Sequence, residues 1–259
     1  MNEYESIAII ISIISLIVSI LNHAIPWISR TFILKPRINF HPTGQAVLFF
    51  NKSGSYIRFF GMIESKIRAS IIKKVSINIK RVGDNGEKNL LWSYLISPVT
   101  QSMIGNFVQA QESAHPFRID ANSMACAFIE FGDPYNSSAT QIDSVCSKLD
   151  NNLTNVRSNK NYSEALDEFC KLPDYGHAKT LLNGFLFWSV GEYVANVTIC
   201  YDNNKLKNFS CKFAVSQHDF MELSQNLDEI LLINLKNLYQ QPLLFKSPVI
   251  EIRDCTGNC

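Results

Sequence analysis

Gly191-Glu192-Tyr193-Val194-Ala195-Asn196-Val197-Thr198-Ile199-Cys200-Tyr201 is the stretch whose reading decides the fold. Tyr193, Ala195, Val197, Ile199 and Tyr201 alternate with Glu192, Val194, Asn196, Thr198 and Cys200. A period of two places the first set on one face of an extended strand, and that face needs a core to bury it. Asp202 to Lys205 supplies turn residues and Phe209 to Val215 returns, so a hairpin is predicted.

Working outward, the same pattern recurs upstream. Residues 46–51 and 56–63 flank the turn Lys52-Ser53-Gly54-Ser55. Val75, Ile77 and Ile79 alternate with Ser76, Asn78 and Lys80, a half-buried strand with one wet face. Gly83-Asp84-Asn85-Gly86 reverses the chain, because Gly and Asn tolerate positive φ. Leu90 to Leu95 then returns, with Trp92 and Tyr94 on one face, and residues 116–120 and 126–131 add two strands. A Gly-x-Tyr entry into a long alternating strand late in the chain resembles the penultimate strand of immunoglobulin-like sandwiches, where a tyrosine corner occupies this place. The resemblance implies a fold and no activity.

Between and after the strands the period becomes helical. Residues 135–175 are rich in Ser, Asn and Asp. Ile142, Val145 and Leu149, then Ala165, Phe169 and Leu172, mark two short helices whose narrow apolar stripes dock by one face. From Ser216, which with Asp219 forms a capping-box variant, Phe220, Leu223, Leu227, Ile230, Leu231, Leu235 and Leu238 make one stripe ended by Pro242. The bland reading docks this helix on the β-domain. The sharper one offers Phe220, Leu223, Leu227, Ile230 and Leu231 to a protein partner.

The N-terminus carries an apolar run. No charged side chain occurs from Ser6 to Ser29, and Ile7 to Leu21 is broken only by Ser12, Ser15 and Ser19. A bilayer span needs roughly 20 such residues, so residues 7–28 are expected to be a transmembrane helix with the lipid bilayer as partner. Arg30, Lys35 and Arg37 follow it and Glu3 and Glu5 precede it, which predicts a cytoplasmic domain. The expected organisation is a short tail over 1–6, the span over 7–28, a β-domain over 35–215 with an insertion at 135–175, a helix over 216–241 and a tail over 242–259. The expected fold class is therefore an N-terminal transmembrane helix plus a mainly-β domain: an antiparallel immunoglobulin-like β-sandwich with a helical insertion and a C-terminal amphipathic helix.

Chemistry is sparse. The formal charge is +1, and Lys66, Arg68, Lys73, Lys74, Lys80 and Arg81 form a mildly basic region that reads as solvated strand faces; no nucleic-acid partner is expected. Tyr56, Arg58 and Phe60 match an RNA-stacking sheet only in part. There is no phosphate-binding Gly-rich loop and no nucleophile elbow. Cys170 and His177, seven residues apart, are a conceivable thiol–imidazole nucleophile–base pair. Seven cysteines, an odd number and widely spaced, are poor evidence for a disulfide framework, although Cys200 and Cys211 flank a hairpin and could face each other across it, and Cys255 and Cys259 could be a redox or metal pair at the tail. Sequons stand at Asn51, Asn136, Asn152, Asn161, Asn196 and Asn208. No catalytic residue, metal site or cofactor is expected. The functional expectation is a non-enzymatic protein-interaction or scaffold module at a membrane, with an extracytoplasmic receptor-like or ligand-binding domain, or an enzyme of unrecognised type, as alternatives.

Overall fold

A computed structural model describes residues 3–28, 35–84, 86–103, 106–133, 135, 137–153 and 160–257; the side chains of 3–10, 23, 26–28 and 98–109 are not described. Among the described residues eleven strands form: β1 (Arg37–Asn51), β2 (Gly54–Lys66), β3 (Ser70–Arg81), β4 (Glu87–Met103), β5 (Asn106–Ser113), β6 (Phe117–Ile119), β7 (Ser123–Cys126), β8 (Ile129–Gly132), β9 (Gly191–Tyr201), β10 (Lys205–Val215) and β11 (Val249–Gly257). Their pairing runs β4-β8-β2-β1-β11-β10-β9-β3, and β3 pairs back onto β4 from Ser76↔Leu91 to Lys80↔Glu87. The sheet is thus a closed eight-stranded antiparallel barrel with three extra strands: β7 lies on the same edge of β2 as β8, β6 on the same edge of β3 as β4, and β5 pairs with β4.

This overturns the sandwich expectation. Alternation along a strand demands one buried face, and a closed barrel meets that demand as well as two stacked sheets do. What distinguishes them is the partner of each edge. β4 pairs with β3 along residues 87–91 and with β8 along 91–95, so no edge is left between the halves. β11 lies between β1 and β10, with Ala46↔Ile250 on one side and Phe213↔Ile252 on the other. It falls in the stretch read above as a tail. Its alternation was visible: Ile250 and Ile252 point inward while Glu251 and Arg253 point out.

Irregularities let the ring curve. Register shifts occur at Pro42/Ala46, Ile72/Lys74, Trp92/Tyr94, Ile96/Thr100 and Ser210/Lys212, and such bulges bend strands and raise local twist. Beside the first, a Cβ on Gly61 would stand 2.6 Å from the Phe40 ring and 2.9 Å from the His41 carbonyl oxygen, so only glycine fits.

The interior is filled. Phe59, Ile63, Val75, Phe131, Val197 and Ile199 converge around a void of about 10 Å³, room for one water at most. Tyr193 Oη donates to the Ser189 carbonyl at 2.8 Å and accepts from the Ser189 amide at 2.9 Å. The tyrosine device thus occurs here in a barrel, next to the fully buried Trp188, whose Nε1 donates to the Phe49 carbonyl at 2.9 Å.

Helices close one end. They are α2 (Ser137–Asp150), α3 (Tyr162–Lys171), α4 (Pro173–Asn183), α5 (Gln217–Leu231) and α6 (Ile233–Leu238), with α1 (Glu3–Ile28) preceding the barrel. Pro173 at the first turn starts a helix that is not among those read from the sequence, since its ring presets helical φ and lacks only an orphan N–H. Capping boxes start α3 (Asn161/Glu164) and α5 (Ser216/Asp219). The fully buried Asn226 of α5 donates to the Phe50 carbonyl at 3.0 Å and the Lys246 carbonyl at 2.8 Å, and accepts from the Lys246 amide at 2.7 Å. One side chain thereby ties the helix to β1 and to the segment leading into β11.

Among the described residues no helix is long and apolar enough to cross a membrane. The transmembrane expectation for residues 7–28, and the single-pass cytoplasmic topology inferred from its flanks, does not stand. The Ile7–Leu21 run is about 15 residues, below the roughly 20 that a span requires, and Ser12, Ser15 and Ser19 interrupt it. The described large apolar side chains of α1, among them Ile11, Leu16 and Ile20, are exposed and take no part in the core cluster.

Cys211 of β10 and Cys255 of β11 form a disulfide. Cys200 could not serve: in the β9–β10 register it faces Leu206, while Cys211 faces Ala195. Cys259 and Asn136 lie outside the described residues. The bond closes a loop of 44 residues that contains α5 and α6. Replacing Cys211 and Cys255 together by alanine is expected to lower the unfolding free energy by about 4 kcal/mol on the chain-entropy account, measured by urea denaturation. An unchanged midpoint would mean that the unfolded chain gains nothing from losing the link.

Candidate functional site: the open rim of the barrel

In an antiparallel ring, alternate turns share an end. Arg37↔Lys66, Ile72↔Tyr201, Lys205↔Tyr201 and Ser65↔Ser123 place the start of β1, the β2–β3 turn, the β9–β10 turn and the start of β7 together. The helices lie at the other end, where Ser55 Oγ accepts from the Phe187 amide at 3.0 Å and Asn226 meets the Phe50 carbonyl. One end is capped and the other is an open rim.

The two ends differ in charge. Residues 35–41, 64–74, 117–126 and 200–207 hold nine Lys and Arg against three carboxylates, a net +6, so the rest of the chain carries −5 within a total of +1. The capping segments 137–183 and 216–246 hold ten carboxylates against seven Lys and Arg. The rim carboxylates are occupied. Glu64 accepts from Asn39 Nδ2 at 2.9 Å and contacts His41 and Lys66 at 3.1 and 3.4 Å; those bonds, Asn39's first, hold its carboxyl below the ordinary range. Asp202 Oδ1 accepts from Ser70 Oγ at 2.9 Å and the Ile71 amide at 3.0 Å, and Asp120 pairs with Arg118 at 3.1 Å. Lys66, Lys73, Lys74 and Lys205 are exposed.

The loops bearing these charges are pinned. Ser65 Oγ donates to the Arg68 carbonyl at 2.7 Å, and the Ile67 amide donates to Asn122 Oδ1 at 3.0 Å, joining the β2–β3 turn to the β6–β7 turn. Asp202 joins it to the β9–β10 turn. Ile67 sits at φ 75°, a genuine outlier for a β-branched residue. Four large apolar side chains stand exposed on this end: Ile67, Ile71, Met124 and Leu206, at 41, 47, 48 and 63 %. A groove of about 490 Å³ crosses the rim between Pro36, Arg68, Ile71, Lys73, Asp202 and Lys205.

The outer wall carries a second concavity of about 470 Å³, lined by Asn51, Tyr56, Arg58, Tyr94, Gln111 and Glu130 among others. Asn51 Nδ2 donates to Tyr56 Oη at 2.8 Å, and the Tyr56 ring stacks on Phe49 at 4.7 Å. The Arg58 guanidinium lies 4.4 Å over the other partner of that stack, the Phe49 ring, and its Nε donates to Glu130 Oε2 at 2.7 Å. Burial first, and the Glu130 charge second, push the Tyr56 phenol up to about 12. The partial RNA-stacking pattern of Tyr56 and Arg58 is thus spent on internal stacking and an ion pair.

The residues singled out from the sequence lie elsewhere. Leu223, Leu227, Ile230 and Leu231 are buried in the core, and Phe220 packs against it half-buried. The stripe docks α5 on the barrel. Cys170 lies on the outer side of α3 with its thiol partly covered; that partial burial raises the thiol and outweighs the lowering from its contact with Tyr175, the opposite of an activated nucleophile. The other groups acting on it are Asp228, Lys179 and Asp167, and His177 is not among them. Tyr175 Oη instead donates to Asp228 Oδ1 at 2.8 Å and Lys179 Nζ to Oδ2 at 2.9 Å, clasping α4 to α5. Among the described residues no group of three or more His, Cys, Asp and Glu could hold a metal ion. Lys205 and Lys207 were missed in the sequence; assigning hairpin turns to alternate barrel ends would have joined them to Lys66–Lys74. In comparisons with known proteins, no family model, no curated protein and no solved structure matches the chain.

Two outcomes follow. Ile67→Asn, which tolerates positive φ, is expected to raise stability by about 1 kcal/mol in urea denaturation; a loss would show that the isoleucine's contacts outweigh its backbone strain. The Tyr56 phenol, raised when folded, contributes stability that is complete below its unfolded value near 10 and is lost as pH rises through about 12. Tyr56→Phe should therefore flatten the fall in stability between those values, read by thermal melts across that range.

Proposed function

We propose that this chain is a non-enzymatic protein-interaction module that holds an acidic, partly apolar surface of a partner protein on its open rim. The observation that carries the reading is the meeting of nine cationic side chains with four exposed apolar ones on one pinned end of the barrel. Charge complementarity steers encounter and selects the partner, while apolar side chains at the centre supply affinity. The strained, exposed Ile67 fits a recognition residue, because backbone strain persists where function retains it. Carriage of a ligand inside the barrel is disfavoured by its packed interior. A nucleic acid is disfavoured because, among the described residues, no exposed aromatic ring stands on the rim for bases to stack on.

The disulfide favours a second reading, an extracytoplasmic binding domain, since such bonds persist in oxidising compartments. Mass mapping of the native protein without reductant is expected to show the Cys211–Cys255 link and glycan at Asn208 on this second reading, and finding neither would sink it.

The rim reading predicts that a peptide alternating Glu and Leu binds the protein and loses about tenfold or more in affinity when Lys66, Lys73, Lys74 and Lys205 are all changed to Glu. All four are exposed, so the variant is expected to fold. Equal affinity for both proteins, or tighter binding of a DNA duplex than of the peptide, would sink the proposal.

A further inference from the structure

We infer that the outer-wall cleft is a separate binding site for a neutral, hydroxyl-rich ligand, a saccharide. At about 470 Å³ it has the size of small-molecule pockets, roughly 300–1,000 Å³. Its polar groups come from distant parts of the chain: Asn51 and Arg58 from the first hairpin, Tyr94 from β4, Gln111 from β5 and Glu130 from β8. They are assembled in advance. Arg58 and Glu130 face each other in the β2–β8 register and are already ion-paired, with side chains 22 and 12 % exposed. Phe49 beneath the guanidinium fixes its plane. Gly132 makes the close approach possible, since a Cβ there would stand 2.9 Å from Ser93 Oγ.

The choice of ligand follows by elimination. An anion would meet two carboxylates, Glu130 and Asp133, against one guanidinium. A cation would meet Arg58. An apolar ligand would strip water from the Arg58–Glu130 pair and return no hydrogen bond. A hydroxyl group donates and accepts at once, so it can serve the remaining donors of Arg58, of which Nε alone is spent on Glu130, and the lone pairs of the carboxylates together. Tyr94, 41 % exposed, presents a ring to the C–H face of a pyranose. This site shares no residue with the rim, so each proposal can fail without the other.

The test is saturation-transfer NMR and calorimetry on the whole chain with glucose, galactose, mannose, N-acetylglucosamine, maltose and cellobiose, and with inorganic phosphate and tetramethylammonium as charged comparators. At least one saccharide is expected to bind with a Kd of about 1 mM or tighter, and Arg58→Ala and Tyr94→Ala should each weaken it about tenfold or more. Gln111 is exposed, so Gln111→Ala gives a variant that keeps its fold if Arg58→Ala does not. Glu130→Gln leaves the guanidinium unpaired and should weaken the saccharide while admitting phosphate. No binding by any of the six sugars, binding that survives all three alanine variants, or preference of the native protein for either charged comparator would each overturn the inference.

Discussion

Closure of the sheet is the constraint on which the remaining structure depends. An open antiparallel sheet of this length would expose unpaired N–H and C=O groups along two edges. Here β3 and β4 pair directly, and β11 fills the space between β1 and β10. Every inward-facing residue then has neighbours on all sides, and Phe59, Ile63, Phe131 and Val197 pack with no space larger than a water. β11 follows α5 and α6 in the chain, so the strand that completes the ring lies beyond the helical segment in sequence. The Cys211–Cys255 bond joins the last two strands of that arrangement.

Closure also creates two unlike ends. The capped end is held by buried polar bonds, of which those of Asn226 are the most enclosed, and by aromatic packing around Trp188, Tyr193 and Phe213. Such groups are costly to leave unpaired, so the helical layer has one seating on the barrel. The open end is held by exposed turns that bond one another through Asn122 and Asp202. Its carboxylates are engaged locally while its lysines project, which turns a near-neutral chain into a molecule with a basic face and an acidic one. Both proposed sites follow from the ring: the rim from which turns share an end, and the outer-wall cleft from the shortness of β8 between the long strands β2 and β4.

Much of the secondary structure was legible. Period-two alternation marked β9 and the returning half of β10, and helical spacing marked α2, α3 and α5, because burial of one face writes itself into consecutive residues. The Ser216/Asp219 cap was readable for the same local reason. α4 was not, because Pro173 and Gly176 look like loop residues until the chain around them is known to be covered. β11 was overlooked because nine residues beyond a proline-ended helix read as a tail, although Ile250 and Ile252 alternate with charges. The apolar run at the N-terminus invited a membrane span, and among the described residues no helix meets the length and apolarity of one.

The sequence by itself determined which residues need a core and which face of each strand or helix they occupy, since those demands are local. It also set the inventory of charges. Only the tertiary structure decided that the strands form one ring and not two stacked sheets, because strand partners are chosen by contacts between distant segments that alternation leaves open. The same long-range pairing selected Cys255 over Cys200 for Cys211, turned the stripe from Phe220 to Leu231 inward, kept His177 out of the groups acting on Cys170, and gathered Lys66, Lys73 and Lys205 onto one rim. Each of these is a distance across the fold, and distance across the fold is what spacing along a chain does not contain.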